Sequence, residues 1–256
     1  MKPNKYLGQF FLSSKKIVEE IIRAADIKPD DVVLEVGPGK GILTEALLKA
    51  GARVIAVEKD KRLVEFLKEK FKNTKNLEII QGDILKTKFS IFKPQFSKYK
   101  IVANIPYYIT SRFLRTFLQS DFQPSKMVLM VQKEVAERIT TKSASRRKKE
   151  SILSISVKVY GQPKIIKKVP AKCFSPKPKI DSAILLIDKI SKVFFKDINE
   201  KNFFETVKRG FSSKRKLLKN NLKLLDTECL AKCGISEKVR AEDLSLENWR
   251  CLYKVL

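Results

Sequence analysis

The chain is 256 residues long, 43% hydrophobic and free of histidine, and its 54 Lys plus Arg against 28 Asp plus Glu leave a formal charge of +26. A chain of this length can bury a full core. No apolar run approaches the span of a bilayer, and the opening MKPNKYLGQFF has neither the apolar stretch nor the cleavage site of a signal peptide, so a cytoplasmic protein is expected rather than a secreted or membrane-embedded one.

In chain order, apolar Ile17, Val18, Ile21 and Ile22 predict a helix over about 14–25. VVLEV (32–36) follows as a buried strand with glycines directly after it. LTEALLKAGA then has the pattern of an amphipathic helix, RVIAV (53–57) of a strand and KRLVEFLKEKF of another helix. LEII (77–80), IVA (101–103) and MVLMV (127–131) repeat the alternation, which predicts a mainly parallel sheet covered on both faces, the doubly wound α/β class. ESILSISVKVYG (150–161) fits either a further helix or a buried crossover, because β-branched residues crowd it. KIIKKV and SAILLI (182–187) have strand character on either side of the stiff, proline-rich FSPKPKID. From about Ser191 helical periodicity runs without strands, so the expected division is an α/β domain over 1–190 and a small all-helical domain over 191–256.

The charge opposes compactness unless a polyanion neutralises it, which makes nucleic acid the leading partner. A lysine-rich composition set by a hot or salty habitat is the alternative. Clustering weakens it: Arg146, Arg147, Lys148 and Lys149 are consecutive, and KRGFSSKRKLLK (208–219) holds six basic residues and no acid. Cys173, Cys229, Cys233 and Cys251 are too few and scattered for a disulfide framework. Cys229 and Cys233 are expected as reduced, half-buried thiols, since no histidine exists to complete a metal site with them, and no metal is expected.

Chemistry concentrates at the strand ends. EVGPGKG (35–41) lies between a strand and a helix, where backbone approaches a ligand and a Cβ would clash. Glu58 ends the next strand, 21 residues beyond Gly37, in position to accept from ribose hydroxyls. Together they indicate an adenosine-containing cofactor. The glycines fall at 37, 39 and 41 with Ile at 42, which opposes an NAD fingerprint; an acid two residues before the first glycine, here Glu35, instead resembles S-adenosylmethionine methyltransferases. Gly82-Asp83-Ile84 adds a carboxylate for the adenine amine of the same cofactor. After the fourth strand comes Asn104-Ile105-Pro106-Tyr107. The amide oxygen of Asn104 and the carbonyl of Ile105 can each accept a hydrogen from an exocyclic adenine amine, drawing its lone pair out of the ring. Pro106 stiffens the loop, and Tyr107 offers a face to an extruded base.

GQFFL (8–12), EVGPGKG, GDI, NIPYYIT, VQKEVAERI (131–139), CFSPKPKIDSA (173–183), FSSKRKLLKNNL (211–222) and RAEDLSLENW (240–249) run in order over nearly the whole chain and are similar to motifs of the small-subunit ribosomal RNA adenine dimethyltransferases. The resemblance implies a seven-stranded methyltransferase sheet followed by a helical rRNA-binding domain, with S-adenosylmethionine as methyl donor. It implies dimethylation of two adjacent adenines in a hairpin near the 3′ end of small-subunit rRNA, with an assembling small subunit as the expected partner; a monomer is the default expectation, which the sequence itself does not indicate. It further implies that Gly37, Gly39, Glu58, Asp83, Ile84 and Asn104 hold the cofactor, with Gln9, Phe10 and Leu12 closing over it, and that Asn104, Tyr107 and Phe174 hold the target adenine. The basic residues Arg146, Arg147 and Lys148, and Lys208, Lys214, Arg215 and Lys216, are expected on rRNA phosphates.

Two departures from the family pattern stand out. Phe10 replaces the usual Asn or His, and SASRRKK (143–149) replaces a glycine-containing turn. The nearest rival, the large-subunit adenine methyltransferases of macrolide resistance, shares the cofactor motifs, and the C-terminal motifs favour the small-subunit family over it. A binding protein without chemistry, acting in ribosome assembly, is the rival from another class.

Overall fold

The computed structural model describes residues 3–4, 7–87, 98–141, 149–224 and 227–256. It divides into two compact units, Met1–Ala136 with Gln162–Ile190, and Glu137–Gly161 with Ser191–Leu256. The sequence reading puts a single boundary near 190. In the structure, residues 137–161 group with the C-terminal helices instead, and Tyr160 contacts the rings of Phe195 and Phe204 and donates to Glu200 there.

The first unit is built on a seven-stranded sheet. Its elements in chain order are β1 (Phe11–Leu12), α1 (Lys15–Ala25), β2 (Val32–Val36), α2 (Ile42–Lys49), β3 (Arg53–Glu58), α3 (Lys61–Lys70), β4 (Leu77–Gln81), β5 (Lys100–Asn104), α4 (Thr110–Leu118), β6 (Lys126–Gln132), α5 (Lys133–Ile139, which runs on into the second unit), α6 (Ile152–Lys158, in the second unit), β7 (Gln162–Val169), β8 (Phe174–Ser175) and β9 (Ser182–Asp188). The large sheet has the order β4-β3-β2-β5-β6-β9-β7, parallel from β4 to β6 and antiparallel at β9 and β7. The central strands β2 and β5 are nearly continuous apolar runs, as strands covered on both faces must be. At the β4 edge the pattern LEIIQ keeps more solvent contact. Helix α1 buries Ile17, Val18 and Ile21 of the stripe read from the sequence, together with Ala25, while Ile22 is only partly buried.

This order places the site. From β2 the chain winds outward through β3 to β4, then crosses back to start β5 on the other side of β2. The switch point therefore lies between the carboxyl ends of β2 and β5, where open α/β sheets form their ligand crevice. A second, two-stranded sheet pairs Phe11 with Ser175 and Leu12 with Phe174, tying the N-terminal segment to the proline-rich loop.

The second unit adds α7 (Glu200–Gly210), α8 (Leu218–Leu222), α9 (Glu228–Lys232) and α10 (Leu246–Val255). Its core is aromatic: Phe194, Phe195, Phe203, Phe204 and Tyr160 form a chain of ring contacts, and Trp249 is fully buried. Gly210 makes room for that indole, since a Cβ there would stand 2.4 Å from Trp249 Cη2. Cys233 is disulfide-bonded to Cys251, across 5.8 Å between Cα atoms. This corrects the expectation of a reduced Cys233: the partner is Cys251 on α10, and sequence spacing gave no sign of it. Cys173 and Cys229 are free and half-buried.

Candidate active site

A cavity of about 320 Å³ opens at the switch point, a size suited to a small-molecule ligand. The strand-end residues that the sequence singled out meet there. Gly37, Gly39, Glu58, Asp83, Ile84 and Asn104 all line it. So do Gln9, Phe10 and Leu12 from the N-terminal segment, and Tyr107.

The glycine turn after β2 has left-handed backbone at Gly37 and Gly39, with φ of +69° and +60°. A Cβ on Gly39 would lie 2.9 Å from the Phe11 ring, so the N-terminal segment packs directly on the turn. At the end of β3, Glu58 is buried and accepts from the Gly39 N–H at 3.2 Å and the Asp60 N–H at 2.9 Å. Burial raises its pKa, and these two backbone bonds oppose the rise. Each carboxylate oxygen keeps a second lone pair for a ligand hydroxyl. Asp83 accepts from the Leu85 N–H at 3.1 Å and from Lys59 Nζ at 3.0 Å. Burial, the largest single influence, acts to raise its pKa, but Lys59, the Leu85 N–H and the charge of Lys86 together outweigh it and hold the carboxyl below the usual range.

Glu35 is the residue whose environment the sequence could not disclose. It is 1% exposed, and neither carboxylate oxygen has a hydrogen-bond partner. Desolvation pushes its pKa up to about 8; the neighbouring Thr44 opposes the rise and Glu58 adds to it. A buried, unpartnered carboxyl on the cavity wall, a turn that excludes Cβ atoms and an acid at the next strand end together fit an adenosine-containing cofactor with a polar tail.

The amide of Asn104 has a defined orientation. Its Nδ2 donates to the Phe10 carbonyl at 3.0 Å, an acceptor only, so the nitrogen must face that way and Oδ1 is left as acceptor. Pro106 is extended, with φ −57° and ψ 133°, and starts the turn that leads into α4. The Tyr107 hydroxyl shares a 2.7 Å hydrogen bond with Ser182 Oγ on β9, and the Phe10 ring stacks on Tyr107 with centroids 5.9 Å apart and planes 21° apart.

Sequence reasoning missed the anchor of the N-terminal segment. Gln9 Nε2 donates to Asp60 Oδ2 at 3.0 Å, and Asp60 also takes Arg62 at 2.6 Å and caps α3. The Arg62 bond, the largest influence, holds the Asp60 pKa down at about 2. The available signal was an acid standing just before a helix.

Phe174 is not brought into the cavity. It is 4% exposed, packs in the core beneath the sheet and pairs through its backbone with Leu12. Lys208, Lys214, Arg215 and Lys216 lie in the second unit and are exposed. Arg146, Arg147 and Lys148 lie outside the described residues.

A sequence model of the family described as "Ribosomal RNA adenine dimethylase" matches residues 1–256. A protein of Dehalococcoides mccartyi named ribosomal RNA small subunit methyltransferase A is 43% identical over 259 residues, covering 98% of this chain and 88% of the relative. Among solved structures, a dimethyladenosine transferase from Plasmodium falciparum superposes with a TM-score of 0.80 at 29% identity, covering 94% of this chain and 95% of its own. The 23S rRNA methyltransferase ErmE superposes with a TM-score of 0.78 at 26% identity, covering 96% of this chain and 99% of its own. With the glycine turn, Glu58 and Asn104 converging on one cavity and the family match spanning the whole sequence, the chain belongs to the ribosomal RNA adenine dimethylase family.

Proposed function

We propose that this protein dimethylates the exocyclic amines of two adjacent adenines near the 3′ end of small-subunit ribosomal RNA, acting as a monomer in the cytoplasm on an assembling subunit. S-adenosylmethionine supplies the methyl group as a sulfonium electrophile. The chain's own task is to hold the donor and to expose the nitrogen lone pair.

Gly37, Gly39, Glu58, Asp83 and Ile84 would hold the donor, Glu58 through ribose hydroxyls and Asp83 through the adenine amine, with Lys59 sharing or releasing the Asp83 oxygen that it now holds. Gln9, Phe10 and Leu12 would cover it. The observation that carries the reading is the oriented amide of Asn104. With its nitrogen committed to the Phe10 carbonyl, Oδ1 is free to accept one hydrogen of the target amine. The carbonyl of Ile105 accepts the other, which draws the nitrogen toward a tetrahedral, nucleophilic form. Tyr107, steadied by Ser182, supplies a face for the extruded base. The surplus proton leaves to solvent after transfer.

The choice of subunit rests on the higher identity to a small-subunit methyltransferase, 43%, than to the large-subunit ErmE, 26%. The fold alone does not separate the two, because ErmE superposes over nearly the entire chain. The test is methyl incorporation from labelled S-adenosylmethionine into separated small and large subunits that lack the native modification. Dimethyladenosine in the small subunit is expected. Transfer to the large subunit would move the chain to the resistance type, and tight binding without transfer would make it an assembly factor.

A further inference from the structure

Tyr108 has no part in the account above. Among the described large apolar side chains the exposed aromatics are Tyr108, at 64%, and Phe66, at 41%, and only Tyr108 lines the cavity. Single exposed rings are ordinary on protein surfaces, so exposure alone says nothing. Its surroundings say more. The Gly8 backbone backs the ring, since a Cβ on Gly8 would stand 3.5 Å from Tyr108 Cδ1 and Cε1. The ring is thus supported by the N-terminal segment while most of it stays open to solvent. Arg112, in the first turn of α4, is exposed and lines the same cavity, while Tyr108 lies in the short turn over Tyr107–Ile109 that leads into that helix. Ring and guanidinium therefore share the rim of the site, next to the tyrosine that receives the target base.

A supported aromatic face beside a cation is how proteins hold single-stranded nucleic acid without reading its sequence. When a base is extruded, its chain neighbour loses a stacking partner. We propose that Tyr108 stacks against the nucleotide adjacent to the extruded adenine and that Arg112 takes the phosphate between them. Both are substrate-positioning residues: they hold the strand in register while the next adenine enters. This rests on the functional reading above and adds to it the contact that manages the neighbouring base.

The experiment is steady-state methyl transfer on unmodified ribosomal subunits by wild type, Tyr108→Ala, Tyr108→Phe and Arg112→Gln, with S-adenosylmethionine affinity measured in parallel. Tyr108→Ala is expected to raise KM for the subunit about tenfold with kcat within about twofold, and Tyr108→Phe to restore it, because the ring and not the hydroxyl stacks. Arg112→Gln is expected to lower the salt slope of KM by about one. Cofactor affinity should be unchanged in all three. A Tyr108→Ala KM within twofold of wild type, a loss confined to kcat, or a Phe variant as poor as the Ala variant would overturn the proposal. The subunit that wild type methylates tests the functional reading separately, since the ratio of variant to wild type is taken on whichever subunit accepts methyl groups. If neither does, both readings fall.

Discussion

Asn104 and Glu35 sit at the ends of neighbouring strands and face opposite physical problems. Asn104 is neutral and its orientation is fixed by a backbone carbonyl, so it can present an acceptor at no electrostatic cost. Replacing it with Ala removes that acceptor from the target amine, and transfer is expected to fall by about 100-fold or more. Subunit affinity should stay within about tenfold, or about 1.4 kcal/mol; a larger loss in a binding assay would mean that the amide anchors RNA rather than activating the base. Glu35 is ionisable and has no partner. Its folded pKa of about 8 lies above the ordinary 4.5. Below the ordinary value both folded and unfolded states are protonated and nothing is lost. As pH rises from there, the unfolded chain releases a proton that the folded chain retains, so stability falls until about pH 8 and then levels. The slope contributed is at most about 1.4 kcal/mol per pH unit. Glu35→Gln removes it: between pH 5 and pH 8 the wild-type Tm should fall more than that of the variant. Parallel Tm curves would mean that Glu35 is ionised and partnered in solution.

At the scale of elements, α7 and α10 meet through Gly210 and Trp249. The contact is backbone against indole, so Gly210→Ala forces the ring aside. Overpacking of this kind costs about 1–3 kcal/mol, and urea unfolding should register it. Gly234→Ala is the control, with no atom within 4 Å of the added Cβ and only the strain of a φ of +64°; equal losses in the two variants would make backbone strain, not the indole, the cause. The long elements were legible in the sequence for two reasons: VVLEV, RVIAV and MVLMV are nearly continuous apolar runs of strand length, and the stripe of α1 repeats at helical spacing. The strand order then brings the glycine turn, Glu58, Asp83 and Asn104 to one crevice. What escaped was short or long-range. β1 and β8 have two residues each, too few for any period, yet their pairing buries Phe174 and sets Phe11 on the glycine turn. The Cys233 to Cys251 bond and the grouping of residues 137–161 with the C-terminal helices depend on contacts far apart in sequence.

For the whole molecule, a formal charge of +26 is a cost to folding that a polyanion can relieve. Many lysines already have acidic partners, as in Lys149 with Glu242 and Asp243, Lys158 with Glu150, and Lys219 with Glu237. Lys214, Arg215 and Lys216 are different: they are consecutive, exposed and outside any ion pair among the described residues. Their mutual repulsion is an expense that the fold does not need. Neutralising all three to Gln should therefore leave stability unchanged or slightly raised, while subunit affinity falls. If each cation meets a phosphate, the slope of log affinity against log salt should become shallower by about 2 to 3, because fewer counterions are released on binding. A base-reading role would weaken affinity without that change in slope. Equal affinity and equal slope in the triple variant would make this stretch a solvated surface, and the RNA footprint would then have to be sought among the other basic residues.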